Sequence, residues 1–335
     1  MQECERNTGY DLIRSFSILF IFLGHIFIKQ CQNDAVKIII CSISPGMTIS
    51  LLGFISAALL SQKEISSGAF LIKRFIRIFL PLFLCLTIVG SLHILMGKAV
   101  ISQHLIIHFM GLSAFLDLLH VKNLTTIGIG LWFVTAILTM YILLPVLQIL
   151  FRHRNGLIHL IILILICTSA GFVLFSTESC WNVAISFMVG TYLGATGRLD
   201  QLTSRESVLT LIIPLCIIAF AVLSTTHIIS YEIRGFLFAF YPLAFVPAFF
   251  ALARRMPKSI LKTSTFFSEL SYEFYILHFY FINENLRDLT FGPLNIASHI
   301  AISFFVTGLL AYGFSMIASR ARKMIERYLL REPLT

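Results

Sequence analysis

Arg14 and His25 share one apolar run, YDLIRSFSILFIFLGHIFI, and eleven positions separate them. On a helix rising about 1.5 Å per residue with about 3.6 residues per turn, they fall on nearly one face, roughly 16 Å apart along the axis. An ionisable side chain at membrane depth is costly, so it faces a protein interior or a polar cavity and marks a candidate functional position. A guanidinium near one end and an imidazole further along suit a protein that holds something anionic and moves a proton nearby. The plain alternative is a histidine that hydrogen-bonds a neighbouring helix. Spacing alone leaves both readings open.

The elements that position this pair follow from composition. Apolar residues make up 58% of the chain and charged residues 12%, against about 45–50% and 25% in soluble domains. Mean hydropathy is +0.90. The chain reads as an all-α, multi-pass integral membrane protein whose first partner is the lipid bilayer. A net charge of +9 would suit nucleic acid only if the basic residues shared one surface. They fall instead between the apolar runs, and no nucleic-acid partner is expected. Seven cysteines (Cys4, Cys31, Cys41, Cys85, Cys167, Cys180 and Cys216) are odd in number and show no CxxC spacing. Most lie in or beside apolar runs, where Cys packs as a small hydrophobe, so no disulfide framework is expected. The first run contains Arg14, has an acidic start (Glu3, Glu5, Asp11) and lacks a small-residue cleavage site behind it. It reads as a retained helix rather than a signal peptide.

A membrane span needs about 20 mostly apolar residues. Ten segments meet this: 11–30, 38–60, 78–96, 128–150, 157–175, 181–196, 207–224, 235–252, 268–287 and 296–318. With ten spans and both termini cytoplasmic, 19 of the 25 Lys and Arg residues fall inside and 6 outside, as the positive-inside rule asks. An eleventh crossing by 101–120 would invert everything after it and put most of Arg152 to Arg331 outside. That segment, ISQHLIIHFMGLSAFLDLLH, therefore reads as an outer-face amphipathic or re-entrant piece. The basic stretch at 319–335 reads as a short cytoplasmic helix along anionic headgroups. No internal repeat or linker divides the chain, which is read as a single domain over 1–335.

Four segments in order carry a resemblance. RSFSILFIFLGH has an arginine and a histidine with ten residues between them at Arg14 and His25. FLIKRFIRIFLPLF carries Phe70, Arg74, Arg77 and Pro81. LWFVTAILTMYILLPVL carries Trp132, Phe133, Tyr141 and Pro145, and LSYEFYILH carries Ser271, Tyr272, Tyr275, Leu277 and His278. Together they resemble the membrane-bound acyltransferase-3 family, which acylates sugars and other acceptors, often from acetyl-CoA. Departures are Ser56-Ala57 where the family usually has Ser-Gly, Glu273 where Gly is common, and Ile137 near a position where some members carry Glu.

The resemblance implies a thioester-to-hydroxyl acyl transfer. Such a reaction needs a base for the hydroxyl proton and donors for the oxyanion. His25 is the expected base. Arg14, Arg74 and Arg77, all cytoplasmic in this topology, are the expected contacts to the phosphates of acetyl-CoA, because a guanidinium grips phosphate with paired N–H donors; for Arg74 and Arg77, plain positive-inside anchoring is an equal reading. The roughly 16 Å from Arg14 to His25 is shorter than an extended pantetheine arm plus pyrophosphate, so one donor molecule reaches both. His278 is the second catalytic candidate. It could assist the base, bind the acyl carbonyl or fix helix packing, and the sequence leaves these equal. Trp132, Tyr141 and Tyr272 read as packing aromatics, and Glu273 requires a partner, with Arg14 and His278 the choices in sequence. His104 and His108 have the i, i+4 spacing of a helical metal pair, with Asp117 and His120 nearby. No HExxH accompanies them and no metal is expected.

The expected function is O-acetylation of a cell-surface polysaccharide such as O-antigen, or of its lipid-linked glycan precursor, in a bacterial inner membrane. The rival is a polytopic transporter or flippase with Arg14 and His25 lining its path. Transporters commonly show paired halves, and none are visible here. A scaffold that has lost catalysis is a third reading, weighed against by the intact Arg14, His25, Arg74 and Arg77.

Overall fold

The computed structural model describes residues 8–30, 36, 40, 46–65, 67–98, 100–128, 130–174, 179–204, 208–223, 236–282 and 296–330. Outside them lie Cys4, Cys31 and Cys41, the loop cations Arg6, Lys37, Arg205, Arg234 and Arg287, the last residues of the basic tail, and parts of segments 38–60 and 268–287. The described residues form helices and contain no strand. Lipid offers the backbone no hydrogen bond, and a helix is the structure that satisfies every N–H and C=O within one segment.

The helices are α1 (Thr8–Gln30), α2 (Gly46–Ser61), α3 (Ser67–Leu95), α4 (Leu105–Phe109), α5 (Ala114–Leu118), α6 (Trp132–Arg152), α7 (Gly156–Leu174), α8 (Ser179–Ala195), α9 (Leu199–Thr203), α10 (Val208–Leu223), α11 (Tyr241–Ala253), α12 (Lys258–Ile282) and α13 (Ile296–Leu330). Each of the ten apolar segments falls on one of them. Among the described residues, five stretches are long and apolar enough to cross a membrane: Thr8–Ile28, Gly68–Leu95, Trp132–Arg152, Phe236–Ala253 and Ala297–Tyr328. Four shorter apolar helices accompany them, Gly46–Ser61, Gly156–Gly171, Cys180–Ala195 and Leu209–Ala219. Large apolar side chains of α7, such as Leu165 at 60% exposure, face outward, as befits a protein whose solvent is hydrocarbon.

Two helices run further than hydropathy indicates. α12 begins ten residues before its apolar segment, and α13 continues unbroken through the basic stretch that the sequence suggested as a separate short helix. No Gly or Pro lies in 258–268 or 314–330 to stop either one, and loss of hydrophobicity does not itself end a helix. At 35 residues, α13 extends about 52 Å, well beyond a hydrocarbon core of about 30 Å.

Packing divides the chain into two compact units. The first comprises Met1–Glu64 and Val146–Ser271, the second Ile65–Pro145 and Tyr272–Thr335, so α6 and α12 each pass from one unit to the other. In the first unit α1 packs on α2 and α11, and α2 packs along α8. The α2–α8 contact is set by small residues. A Cβ at Gly190 would sit 2.4 Å from the Phe54 carbonyl oxygen, and one at Gly194 would sit 2.2 Å from that of Ala58. This is the Gly-xxx-Gly approach by which membrane helices gain van der Waals contact where lipid gives no hydrophobic drive. Tyr10 meets Phe250 edge-on at 4.8 Å, and Phe16 meets Phe249 at 4.8 Å, fastening α1 to α11.

In the second unit α3 packs on α13 and α4. The latter half of α12 is fastened by its tyrosines. Tyr272 donates to the Ile78 carbonyl at 2.9 Å, Tyr275 donates to that of Gly130 at 2.7 Å, and Tyr280 accepts from the Gly128 amide at 3.1 Å. The irregular stretch 100–131 carries α4 and α5. Its buried hub is His108, whose Nε2 lies 3.1 Å from Asn123 Oδ1 and Nδ1 3.0 Å from Ser113 Oγ. The amide oxygen only accepts, so the neutral ring carries its proton on Nε2 and Nδ1 accepts from the serine hydroxyl. Gly128, at φ +81, leaves room for this ring, since a Cβ there would lie 2.0 Å from Nδ1. The ring is thus held by side-chain hydrogen bonds, and among the described residues no cluster of three metal-binding groups forms.

Replacing Gly190 by leucine should destabilise the protein by about 1–3 kcal/mol or more, seen as a lower unfolding temperature in detergent; an unchanged temperature would contradict the α2–α8 geometry. Burial lowers the pKa of His108, outweighing the Asn123 hydrogen bond and the Asp117 charge that raise it. A depressed folded pKa means that its stabilising contribution is full above the unfolded value of about 6.5 and is lost as pH falls through the folded one. Hydrogen exchange in 100–131, corrected for its intrinsic pH dependence, should show protection weakening on acidification through that window in the wild type and much less in His108→Gln.

Candidate functional site

In the first unit the site is built on α1. Asp11 is buried, at 1% exposure. Its Oδ1 accepts from the Ser268 hydroxyl at 2.8 Å and its Oδ2 from that of Thr265 at 3.0 Å. One turn on, Arg14 Nη1 stands 3.8 Å from Asp11 Oδ1, with 30% of the arginine side chain exposed. Ser15 donates to the Ser264 carbonyl. The carboxylate therefore joins α1 to the first half of α12 and holds the guanidinium beside it. This pairing was open to sequence reasoning through the i, i+3 spacing, yet Asp11 read there only as part of an acidic start. Its partners on α12 lie some 250 residues away and left no sequence signal.

Three turns further along α1, His25 is half-buried. Its Nδ1 lies 2.9 Å from the Ile21 carbonyl oxygen. A carbonyl only accepts, so Nδ1 carries the proton and, in the neutral ring, Nε2 holds the basic lone pair. The helix thus fixes both the tautomer and the ring orientation from within, the part usually played by a carboxylate in a catalytic dyad.

In the second unit Phe70, Arg74 and Arg77 follow one another at i, i+4 and i+7 on α3, a single helix face. The Arg74 guanidinium lies 5.5 Å from the centre of the Phe70 ring and 5.9 Å from that of Tyr141, and those two rings meet edge-on at 6.4 Å. Tyr141 is thus a cation–π partner of the arginine as well as a packing residue. Pro81 lacks the N–H that would bond the Arg77 carbonyl four residues back. Glu273 is buried, at 9% exposure, next to the tyrosine that bonds Ile78. The guanidiniums of Arg77 and Arg322 both act on its carboxylate. Those are its cationic neighbours in this unit, where the sequence suggested Arg14 or His278.

His278 is also in the second unit, 1% exposed. Its Nδ1 is bonded to the Tyr275 carbonyl, and its ring is tilted against Tyr275 at 5.6 Å. The tautomer is the one found at His25. Trp132 meets Phe133 edge-on at 6.1 Å, and Phe133 meets Tyr275 at 5.5 Å, so these aromatics pack the helix that carries His278. The structure thus groups Arg14 with Asp11 and His25 on one helix, and Arg74 with Arg77, Glu273 and Arg322 in the second unit. Arg322 was missed in sequence because a cation in a basic tail looks like any other.

Among known proteins, the chain matches the acyltransferase-3 family, described as an acyltransferase domain, over residues 7–320. Searches of curated proteins and of solved structures returned no similar protein. The match takes in every helix from α1 through most of α13 and all four motif segments. The chain therefore belongs to the acyltransferase-3 family and is an integral-membrane acyltransferase.

Proposed function

We propose that the protein is an O-acetyltransferase that takes acetyl from acetyl-CoA and passes it to a hydroxyl of a cell-surface polysaccharide, such as O-antigen, or of its lipid-linked precursor. The observation that carries this reading is the Nδ1–H bond from His25 to the Ile21 carbonyl. It leaves Nε2 as the basic atom of a half-buried ring that shares its helix with Arg14.

The residues suit a phosphate-bearing thioester. Arg14 is partly exposed beside Asp11 at 3.8 Å, and it stands roughly 16 Å along the axis from His25, within the reach of an extended pantetheine arm plus pyrophosphate. Arg74 presents its guanidinium between two aromatic faces, with no hydrogen-bond acceptor among the described residues, so its in-plane N–H donors suit a phosphate oxygen. Acetyl-CoA would supply an activated acetyl thioester. His25 Nε2 takes the proton of the acceptor hydroxyl as that oxygen bonds to the acetyl carbon. The carbon–sulfur bond breaks, and the imidazolium returns the proton to the departing thiolate. A neutral His278 in its observed tautomer has no second N–H for an acyl carbonyl. Of its three candidate roles, proton acceptance or packing fits this ring better.

With purified protein, labelled acetyl-CoA and acceptor glycan, His25→Ala should lower transfer by about 10²–10⁴-fold. Full transfer by that variant would assign the base elsewhere. Acetyl esters on surface glycans of cells that make the protein, absent from cells that lack it, are the expected chemical signature of the substrate class.

A further inference from the structure

The basic end of α13 is not uniform. Thr307, Ala311, Phe314 and Ala318 are buried and repeat at four, three and four residues, one continuous face of the helix. Arg322 is the next member of that face, four residues on. It is half-buried, whereas Arg320, Lys323 and Arg327 around it are exposed. α13 packs on α3, the helix of Arg74 and Arg77, and Phe304 of α13 meets Phe274 at 5.3 Å, beside Glu273. The Tyr272–Ile78 hydrogen bond sets Glu273 level with the Arg77 turn of α3.

Arg77 and Arg322 thus lie near one buried carboxylate, and Arg74 lies near both of those arginines. Arg77 and Arg322 act electrostatically on both Glu273 and Arg74. None of the three arginines has a hydrogen-bond acceptor or an ion pair within salt-bridge distance among the described residues. Glu273 offsets part of the positive charge beside it, and the remaining excess is self-repulsive until an anion joins it. A membrane anchor has no need of this convergence, since headgroup attraction works with exposed cations such as Arg320 and Lys323.

We propose that Arg322 is the third guanidinium of a phosphate-binding site formed with Arg74 and Arg77 and held by Glu273. The ligand chemistry is a phosphate or pyrophosphate group bound by charge-assisted, planar N–H donors. On the function proposed above, on which this assignment of the source rests, the group belongs to the acyl donor. An anionic lipid headgroup offers the same chemistry.

The test uses the full chain in phosphatidylcholine nanodiscs, with thermal stabilisation by coenzyme A, inorganic pyrophosphate and pantetheine as the readout. Coenzyme A and pyrophosphate should stabilise the wild type. Arg322→Gln should raise the half-maximal concentration of both by about tenfold or more, Arg322→Lys should recover part of it, and Arg320→Gln should match the wild type. Pantetheine, which lacks phosphate, should not distinguish the variants. If phosphatidylglycerol nanodiscs stabilise the wild type but not Arg322→Gln, and coenzyme A then adds nothing, the site stands and its phosphate is the lipid's. Wild-type midpoints for Arg322→Gln, or an equal loss in Arg320→Gln, would overturn it. Because the readout is binding, loss of the pyrophosphate response in Arg322→Gln would uphold the site even if acetyl transfer were never observed.

Discussion

Lipid offers a buried polar group no hydrogen bond, so a buried charge in this chain depends on partners that the protein itself supplies. Asp11 shows the consequence most fully. Its carboxylate collects two hydroxyls of α12 and stands beside Arg14, so one charged group both joins two helices and positions a cation. Removing one member of such a set leaves the others buried and unmatched, which costs more than the bond is worth. Asp11, Arg14, Thr265 and Ser268 are therefore fixed as a group, with the Asp11 carboxylate at its centre.

The same constraint shapes the histidines. His25 and His278 each turn Nδ1 to a carbonyl of their own helix, and each is thereby held in one tautomer with Nε2 basic. The bond that satisfies one ring nitrogen also sets the tautomer. The tyrosines of α12 obey the rule differently, reaching the backbone of α3 and of the stretch around Gly128. Those bonds hold the helix that carries His278, while Arg74 lies against the rings of Phe70 and Tyr141.

The placement of the helices was legible in sequence because hydropathy reports burial in lipid directly. All ten apolar segments lie on helices, and the four motif segments identified the family. Helix ends were less legible. α12 starts early and α13 runs on, because no residue in either extension opposes helix formation and polarity alone does not end a helix. Long-range pairing was not legible at all. Asp11 with Ser268, Tyr280 with Gly128, and Glu273 with Arg77 and Arg322 join residues whose spacing in the chain carries no information about contact. Arg322 in particular was hidden by an adequate explanation, since a basic tail accounts for any cation in it until burial separates one from its neighbours. The i, i+4 spacing of His104 and His108 was a pattern with a different cause: His108 is the hub of an irregular segment, its ring nitrogens engaged by Asn123 and Ser113.

The proposed chemistry depends most on the protonation state of the His25 ring. Nitrogen-15 NMR of ring-labelled histidine in the full-length protein, with the His25 signals assigned by difference against His25→Gln, measures it directly. At a pH where the ring is neutral, Nδ1 should be protonated and Nε2 should carry no proton, with the Nε2 signal alone responding strongly to acidification. A proton found on Nε2, with Nδ1 bare, would contradict the hydrogen bond to Ile21 and remove His25 from the role of base.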